Sequence, residues 1–190
     1  MTGEALPDGA PATAISPDVR PITIGPPTID DGTACWRVAR DSEVLDLNSA
    51  YAYLLWCRDF AATSVVARRD GDVVGFVTGY RRPDEPGTLM VWQVAVDAVA
   101  RGEGLAGRML DALFDQVPDV DHLETTITPD NDASIALFEG FARRRGAQVD
   151  VAELFSGAQL SHGAGAEHEP ENRYRIGPIR HSSTISREFM

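Results

Sequence analysis

Apolar residues along the chain recur in two alternating rhythms. Short runs with strand-like spacing are separated by stretches where they return every three or four positions. Ile22 to Ile24 reads as a first short strand, and Ile29 to Arg40 (IDDGTACWRVAR) as a helix with Cys35, Trp36, Val38 and Ala39 among polar positions. Asn48-Ser49 can cap a second helix through Ala50 to Cys57. A hairpin is expected next, with Ser64 to Arg68 and Val73 to Tyr80 flanking the tight-turn sequence Asp70-Gly71-Asp72. After a Pro-Asp-Glu-Pro-Gly turn, Thr88 to Val96 (TLMVWQVAV) is almost continuously apolar, as suits a strand buried on both faces. A glycine-rich segment then opens a helix to about Gln116. A strand over His122 to Thr128 and a helix from Ala133 to about Arg143 follow, and a last strand covers Tyr174 to Ile176. Strand-helix-strand-helix succession predicts an α/β fold with some parallel pairing.

Length bounds this to one domain, since 190 residues make a proper core but not two comfortable ones. Residues 1–20, rich in Pro, Ala, Gly and Asp without periodicity, are expected to be a disordered tail, residues 21–180 the domain, and 181–190 a second tail. No apolar run approaches the ~20 residues of a membrane-spanning helix. The first residues lack the basic start and apolar stretch of a secretory signal, so a cytoplasmic location and no membrane partner are expected.

Charge narrows the chemistry. A net charge of −12 argues against nucleic acid as a partner, because a phosphate-binding surface needs a concentrated cationic field. All 17 basic residues are arginine, which leaves no lysine for a Walker-type phosphate loop, a Schiff base or a Ser-Lys dyad. Cys35 and Cys57 lack zinc-ligand or disulfide-scaffold spacing, and His162 and His168 lack companion ligands, so no metal is expected.

Arg101-Gly102-Glu103-Gly104-Leu105-Ala106-Gly107 carries the most specific signal. The first turn of a helix leaves backbone N–H groups without partners, and the helix dipole favours an anion there. Glycines let the backbone close on a pyrophosphate, and Arg101 adds a fixed positive charge. On its own, such a turn is equally a tight strand–helix connection. The segment nonetheless resembles the R/Q-x-x-G-x-G/A loop of the GCN5-related N-acetyltransferase superfamily, with Arg101, Gly104 and Ala106 in its three positions. Val94-Ala95-Val96 sits where that superfamily's splayed strand meets the pantetheine arm, and Asn131 to Phe141 resembles its Asn-capped helix under the CoA thiol. The resemblance implies acetyl-CoA as co-substrate, bound by Val94, Ala95, Val96, Arg101, Gly102, Gly104, Ala106, Gly107, Asn131 and Phe138. It also implies a mixed sheet of six or seven strands with helices on both faces and a V-shaped splay after Val94. Phe138 departs from the pattern, since many members place a thiolate-protonating tyrosine there.

No Gly-x-Ser-x-Gly elbow is present and neither cysteine neighbours a histidine in sequence, so direct attack of an amine on the thioester is expected rather than an acyl-enzyme. The amine must first lose a proton, since an alkyl ammonium titrates near pH ~10. Candidates for handling the acceptor lie outside the CoA segments. Asp46 is a helix cap or an amine ligand, Tyr51 and Tyr53 are core or pocket, Trp92 is packing or a pocket wall, and His168 and Glu171 are loop residues or substrate ligands. Together, L-D-x-N-S-x-Y-x-Y, V-W-Q-V-A-V, T-I-T-P-D-N-x-A-S and H-E-x-E before Y-R-I are similar to the L-2,4-diaminobutyrate acetyltransferases of ectoine biosynthesis. That resemblance implies transfer to the γ-amine of L-2,4-diaminobutyrate to make a compatible-solute precursor, with a substrate pocket of Asp46, Tyr51, Trp92, His168 and Glu171. Catalytic roles would fall to His168, Glu171 and Asp46, His168 either bonding the substrate carboxylate or relaying the amine proton. A homodimer is expected from the superfamily, with the terminal strand near Tyr174 to Ile176 contributing. A different amine acceptor and a non-catalytic CoA-binding module are the alternatives.

Overall fold

The structure is a computed structural model that describes residues 20–43, 45–161 and 168–180; apart from Arg20, the two expected tails lie outside the described residues. Among the described residues, seven strands and five α-helices follow in order: β1 (Ile22–Gly25), α1 (Gly32–Ser42), α2 (Ala50–Asp59), β2 (Val65–Arg69), β3 (Asp72–Arg81), β4 (Thr88–Val96), α3 (Leu105–Gln116), β5 (His122–Ile127), α4 (Asp132–Arg145), β6 (Gln148–Phe155), α5 (Gly157–Leu160) and β7 (Glu171–Gly177). Local chemistry sets several boundaries. Asp70 (φ 54°) and Gly71 (φ 91°) both adopt the left-handed conformation that a two-residue hairpin turn demands. Ser49 caps α2 by accepting from the Ala52 N–H, and Asn131 caps α4 by accepting from the Ser134 N–H at 3.0 Å. The expected helix over Ile29 to Arg40 divides instead into a 3₁₀ turn (Ile29–Asp31) and α1. Asp31 accepts from the Thr28 N–H at 2.6 Å and from Arg68 on β2 at 2.6 Å, which ties the turn to the sheet.

The strands form one sheet in the order β1-β2-β3-β4-β5-β7-β6, in which only β4 and β5 run parallel. Helices cover both faces. On one, Cys35 and Val38 of α1 and Tyr53 and Cys57 of α2 pack on Val66, Phe76 and Ala95. On the other, Met109, Leu113 and Phe114 of α3 and Phe141 of α4 pack on Val77, Leu89, Val91 and Leu123. Arg145 joins α3 to α4 by ion pairs to Asp111 and Asp115, its guanidinium lying over the Phe114 and Phe141 rings.

Two expectations change. A strand not marked in the sequence, β6, lies at the edge of the sheet, so β7 with Tyr174 and Ile176 is an inner strand between β5 and β6. The splay also opens earlier than Val94, because β4 pairs with β5 only from Thr88–His122 to Met90–Glu124.

Candidate active site

Beyond Met90 the two central strands part, β4 staying with β3 while β5 continues along β7 from Leu123–Ile176 to Ile127–Asn172. A bulge in β4 accompanies the separation. Gly79 pairs with Val91 and Thr78 with Gln93, so Trp92 is the extra residue, and the Gln93 N–H donates to the Thr78 hydroxyl at 3.2 Å. An inserted residue reverses which face the following side chains take. Leu89 and Val91 belong to the core under α3; past the bulge Ala95 faces α1 and α2, while Val94 and Val96 pack toward the α3 side.

Two clefts open along this strand. One, of about 460 Å³, is bounded by Trp92 and Val94 of β4, Thr126 of β5, Phe138 of α4, Asp46 before α2, and Glu171 at the start of β7. The other, of about 390 Å³, lies where Val96 meets the glycine-rich loop, lined by Arg101, Gly102, Gly104, Ala106 and Gly107. Gly102 (φ 79°) and Gly104 (φ 66°) are both left-handed, and a Cβ on either would meet nothing within 4 Å. Backbone conformation, not crowding, therefore calls for glycine at both positions. Arg101 donates through Nε to the Val96 carbonyl at 3.2 Å, and Arg69 holds the loop through Glu103 at 2.7 Å and the Val99 carbonyl at 3.2 Å. The first turn of α3 thus faces its cleft from a braced loop at the end of β4.

Glu171 is the exceptional polar group of the first cleft. Its Oε2 is buried and has no hydrogen-bond partner, an arrangement that costs about 1–3 kcal/mol unless a ligand supplies a donor. Phe138, only 2% exposed, packs beneath the cleft and has no hydroxyl to donate. Cys35 and Cys57 are buried on the α1–α2 face, outside the lining of either cleft. The hydrogen bond to Cys57 and burial push the Cys35 thiol up, so it stays protonated. Among the described residues, no group of three or more His, Cys, Asp or Glu side chains is placed to hold a metal ion.

The structure gathers Asp46, Trp92, Val94, Asn131, Phe138 and Glu171 at one cleft and Val96, Arg101, Gly102, Gly104, Ala106 and Gly107 at the other. Ala95 lies between them with its side chain buried under α1 and α2. Tyr51 and His168 line neither cleft. Tyr51 is 67% exposed, because the buried stripe of α2 runs through Tyr53 and Cys57, and a residue two positions from Tyr53 falls on the far side of the helix. His168 is exposed at the approach to β7. Sequence reasoning names Asn48 only as a helix cap and Glu103 only within the glycine-rich segment, and gives no site role to either or to Gln93 and Arg69. For Gln93 the available signal is a lone amide inside an apolar strand.

Residues 29–142 match the acetyltransferase (GNAT) family. The chain is 57% identical over 162 residues to the L-2,4-diaminobutyric acid acetyltransferase of Streptomyces coelicolor, across 83% of this chain and 94% of that protein. It is 45% identical over 166 residues to the enzyme of that name from Halomonas elongata, across 86% of this chain and 84% of that protein. Its fold is similar to that of the diaminobutyrate acetyltransferase EctA from Paenibacillus lautus, solved in complex with its substrate L-2,4-diaminobutyric acid and coenzyme A. For that pair the TM-score is 0.79 and the identity 38%, with 85% of this chain and 98% of that one covered.

Proposed function

The chain belongs to the acetyltransferase (GNAT) family and, within it, to the L-2,4-diaminobutyric acid acetyltransferases, and from this premise we propose that it moves the acetyl group of acetyl-CoA to the γ-amine of L-2,4-diaminobutyrate. The products are N4-acetyl-L-2,4-diaminobutyrate and CoA, a step of ectoine biosynthesis that serves osmoprotection in the cytoplasm. The glycine-rich loop and the start of α3 hold the pyrophosphate, with Arg101 adding charge. The pantetheine arm runs along Val94 to Val96, which brings the thioester to the cleft beside Trp92. β4 has no strand partner on its β5 side beyond Met90, so backbone N–H groups on that edge can receive the oxyanion of the tetrahedral intermediate. Thiolate then leaves and is protonated by water or a hydroxyl other than residue 138.

The observation that carries the acceptor's identity is the unpartnered Glu171 oxygen in the cleft. A substrate with two amines supplies the missing donors, one amine meeting Glu171 and the other Asp46. The edge strand β6 exposes Val151, Leu154 and Phe155, and this supports pairing of two copies through β6.

Thiol release from acetyl-CoA tests the reading, with L-2,4-diaminobutyrate offered beside ornithine, lysine, putrescine and glucosamine. Release with diaminobutyrate and acetylation of its γ-nitrogen support it. Release with another amine keeps the chemistry and replaces the acceptor, and binding of acetyl-CoA without release makes the chain a CoA-binding module.

A further inference from the structure

Gln93 is 6% exposed and sits immediately after the bulged Trp92. The parity reversal places it on the same face as Ala95, toward α2 and the loop ahead of it. Both ends of its amide are engaged there: Oε1 accepts from the Tyr53 hydroxyl at 2.9 Å, and Nε2 donates to the Asp46 backbone carbonyl at 3.0 Å. Asn48 donates to the same carbonyl at 3.4 Å. Tyr53 is itself fixed, buried edge-on against Phe76 with ring centroids 5.9 Å apart. A rigid core residue therefore orients the Gln93 amide, and the amide in turn grips the backbone of the residue whose carboxylate borders the cleft.

Stability does not demand this arrangement. The Asp46 carbonyl belongs to an exposed residue in an irregular loop, where water could satisfy it. In a strand otherwise made of Thr, Leu, Met, Val, Trp and Ala, a buried glutamine is tolerated only because both ends of its amide are hydrogen-bonded, and an apolar residue would be buried there without that requirement. The effect of the amide is to fix the Asp46 loop to the strand expected to carry the thioester.

We propose that Gln93 is a positioning residue for substrate selection, one that sets the distance between the Asp46 carboxylate and the acyl group on β4 and so determines which spacing between two amines the site accepts. This rests on the reading given under Proposed function. Gln93 acts through Asp46 rather than on the reacting atoms. Chain-length choice follows, because an amine held by a fixed carboxylate presents its second amine to the thioester at one reach only.

The test is steady-state kinetics of the full chain with Gln93→Met and Tyr53→Phe, singly and combined, using diaminobutyrate and ornithine as acceptors. Gln93→Met is expected to raise the KM for diaminobutyrate about 10- to 100-fold, the scale of a misplaced binding group, and to narrow its preference over ornithine. The KM for acetyl-CoA should stay within about twofold of the parent, which a general weakening of the fold would not achieve. Tyr53→Phe should move the same constants in the same direction by less. The combined variant should be no worse than Gln93→Met alone, since both act through one amide. An unchanged diaminobutyrate KM and acceptor preference in Gln93→Met, or fully additive effects in the pair, overturns the proposal. If Gln93→Met does not fold, Tyr53→Phe decides it by the same two readouts. Failure of the parent chain to acetylate diaminobutyrate refutes the underlying reading instead, so the two failures are distinct.

Discussion

Replacing Glu171 by glutamine keeps the shape of the side chain and removes its charge. In the free protein one oxygen of this carboxylate is buried without a partner. A neutral amide is easier to bury than a carboxylate, so the unliganded fold should lose nothing and can gain. The binding of an ammonium or amine is affected in the opposite sense. A hydrogen bond to a charged group contributes about 1.5–3 kcal/mol, and at ~1.4 kcal/mol per factor of ten its loss lowers kcat/KM for diaminobutyrate about 10- to 140-fold. Thiol release measures the second effect and a thermal melt without substrate the first. Each kcal/mol recovered raises the melting temperature by roughly 2–4 °C in a chain of this size. A melting temperature several degrees below the parent's would make Glu171 a structural residue, and undiminished kcat/KM would remove it from the acceptor site. Either result refutes the argument from the unpartnered oxygen.

Asn131→Ala removes the cap on α4 and should cost about 1 kcal/mol, read as a drop in melting temperature. Gly104→Ala meets no steric obstacle but keeps a left-handed backbone, so it should cost about 1–2 kcal/mol and raise the KM for acetyl-CoA while sparing that for diaminobutyrate. Glu124 is buried between Arg82 and Arg175, each 3.4 Å away, where β4 and β5 part; Glu124→Ala leaves both cations paired with Glu85 alone and should cost about 1–3 kcal/mol in denaturant unfolding. Burial raises the Asp31 carboxyl, but hydrogen bonds from the Thr28 N–H, Arg68 and the Thr28 hydroxyl outweigh it and hold the group below its ordinary value. A depressed folded value gives stability that is full above the unfolded pKa of ~3.9 and is lost as pH falls through the folded one. Asp31→Asn should therefore flatten the acid side of a melting-temperature profile in that window.

How much of this was legible depends on whether the signal is local. The hairpin turn at Asp70-Gly71 and the caps at Ser49 and Asn131 each follow from the conformational needs of one or two residues, and the structure has them where the sequence puts them. β6 has no such mark. Gln148-Val149-Asp150-Val151 alternates over four residues only; in the structure Val149 alone is partly sheltered and the rest of the strand is exposed. It is held in the sheet by β7, whose other edge pairs with β5. Arg69 and Glu103 escape notice for a similar reason, since their contact joins positions far apart in sequence.

The bulge at Trp92 is the harder case, and it governs the site. In TLMVWQVAV apolar residues occupy both faces, so a reversal of parity leaves no trace in the pattern, and the run reads equally well with or without an extra residue. With the reversal, Val94 and Val96 border the two clefts, while Gln93, which also lines the first, directs its amide to Tyr53 and Asp46. Without it, the amide and the valines would exchange faces. The loop holding Asp46 would then lose its tie to β4, and the Gln93 amide would enter the wall along which the pantetheine arm is proposed to run. One inserted residue thus ties the Asp46 loop to one face of β4 through Gln93 and turns Val94 and Val96, along which the acyl donor is proposed to run, to the other. The sequence signs for these two functions, Asp46 to Tyr53 and Val94 to Gly107, lie in separate segments because the bulged strand, not chain proximity, brings them together.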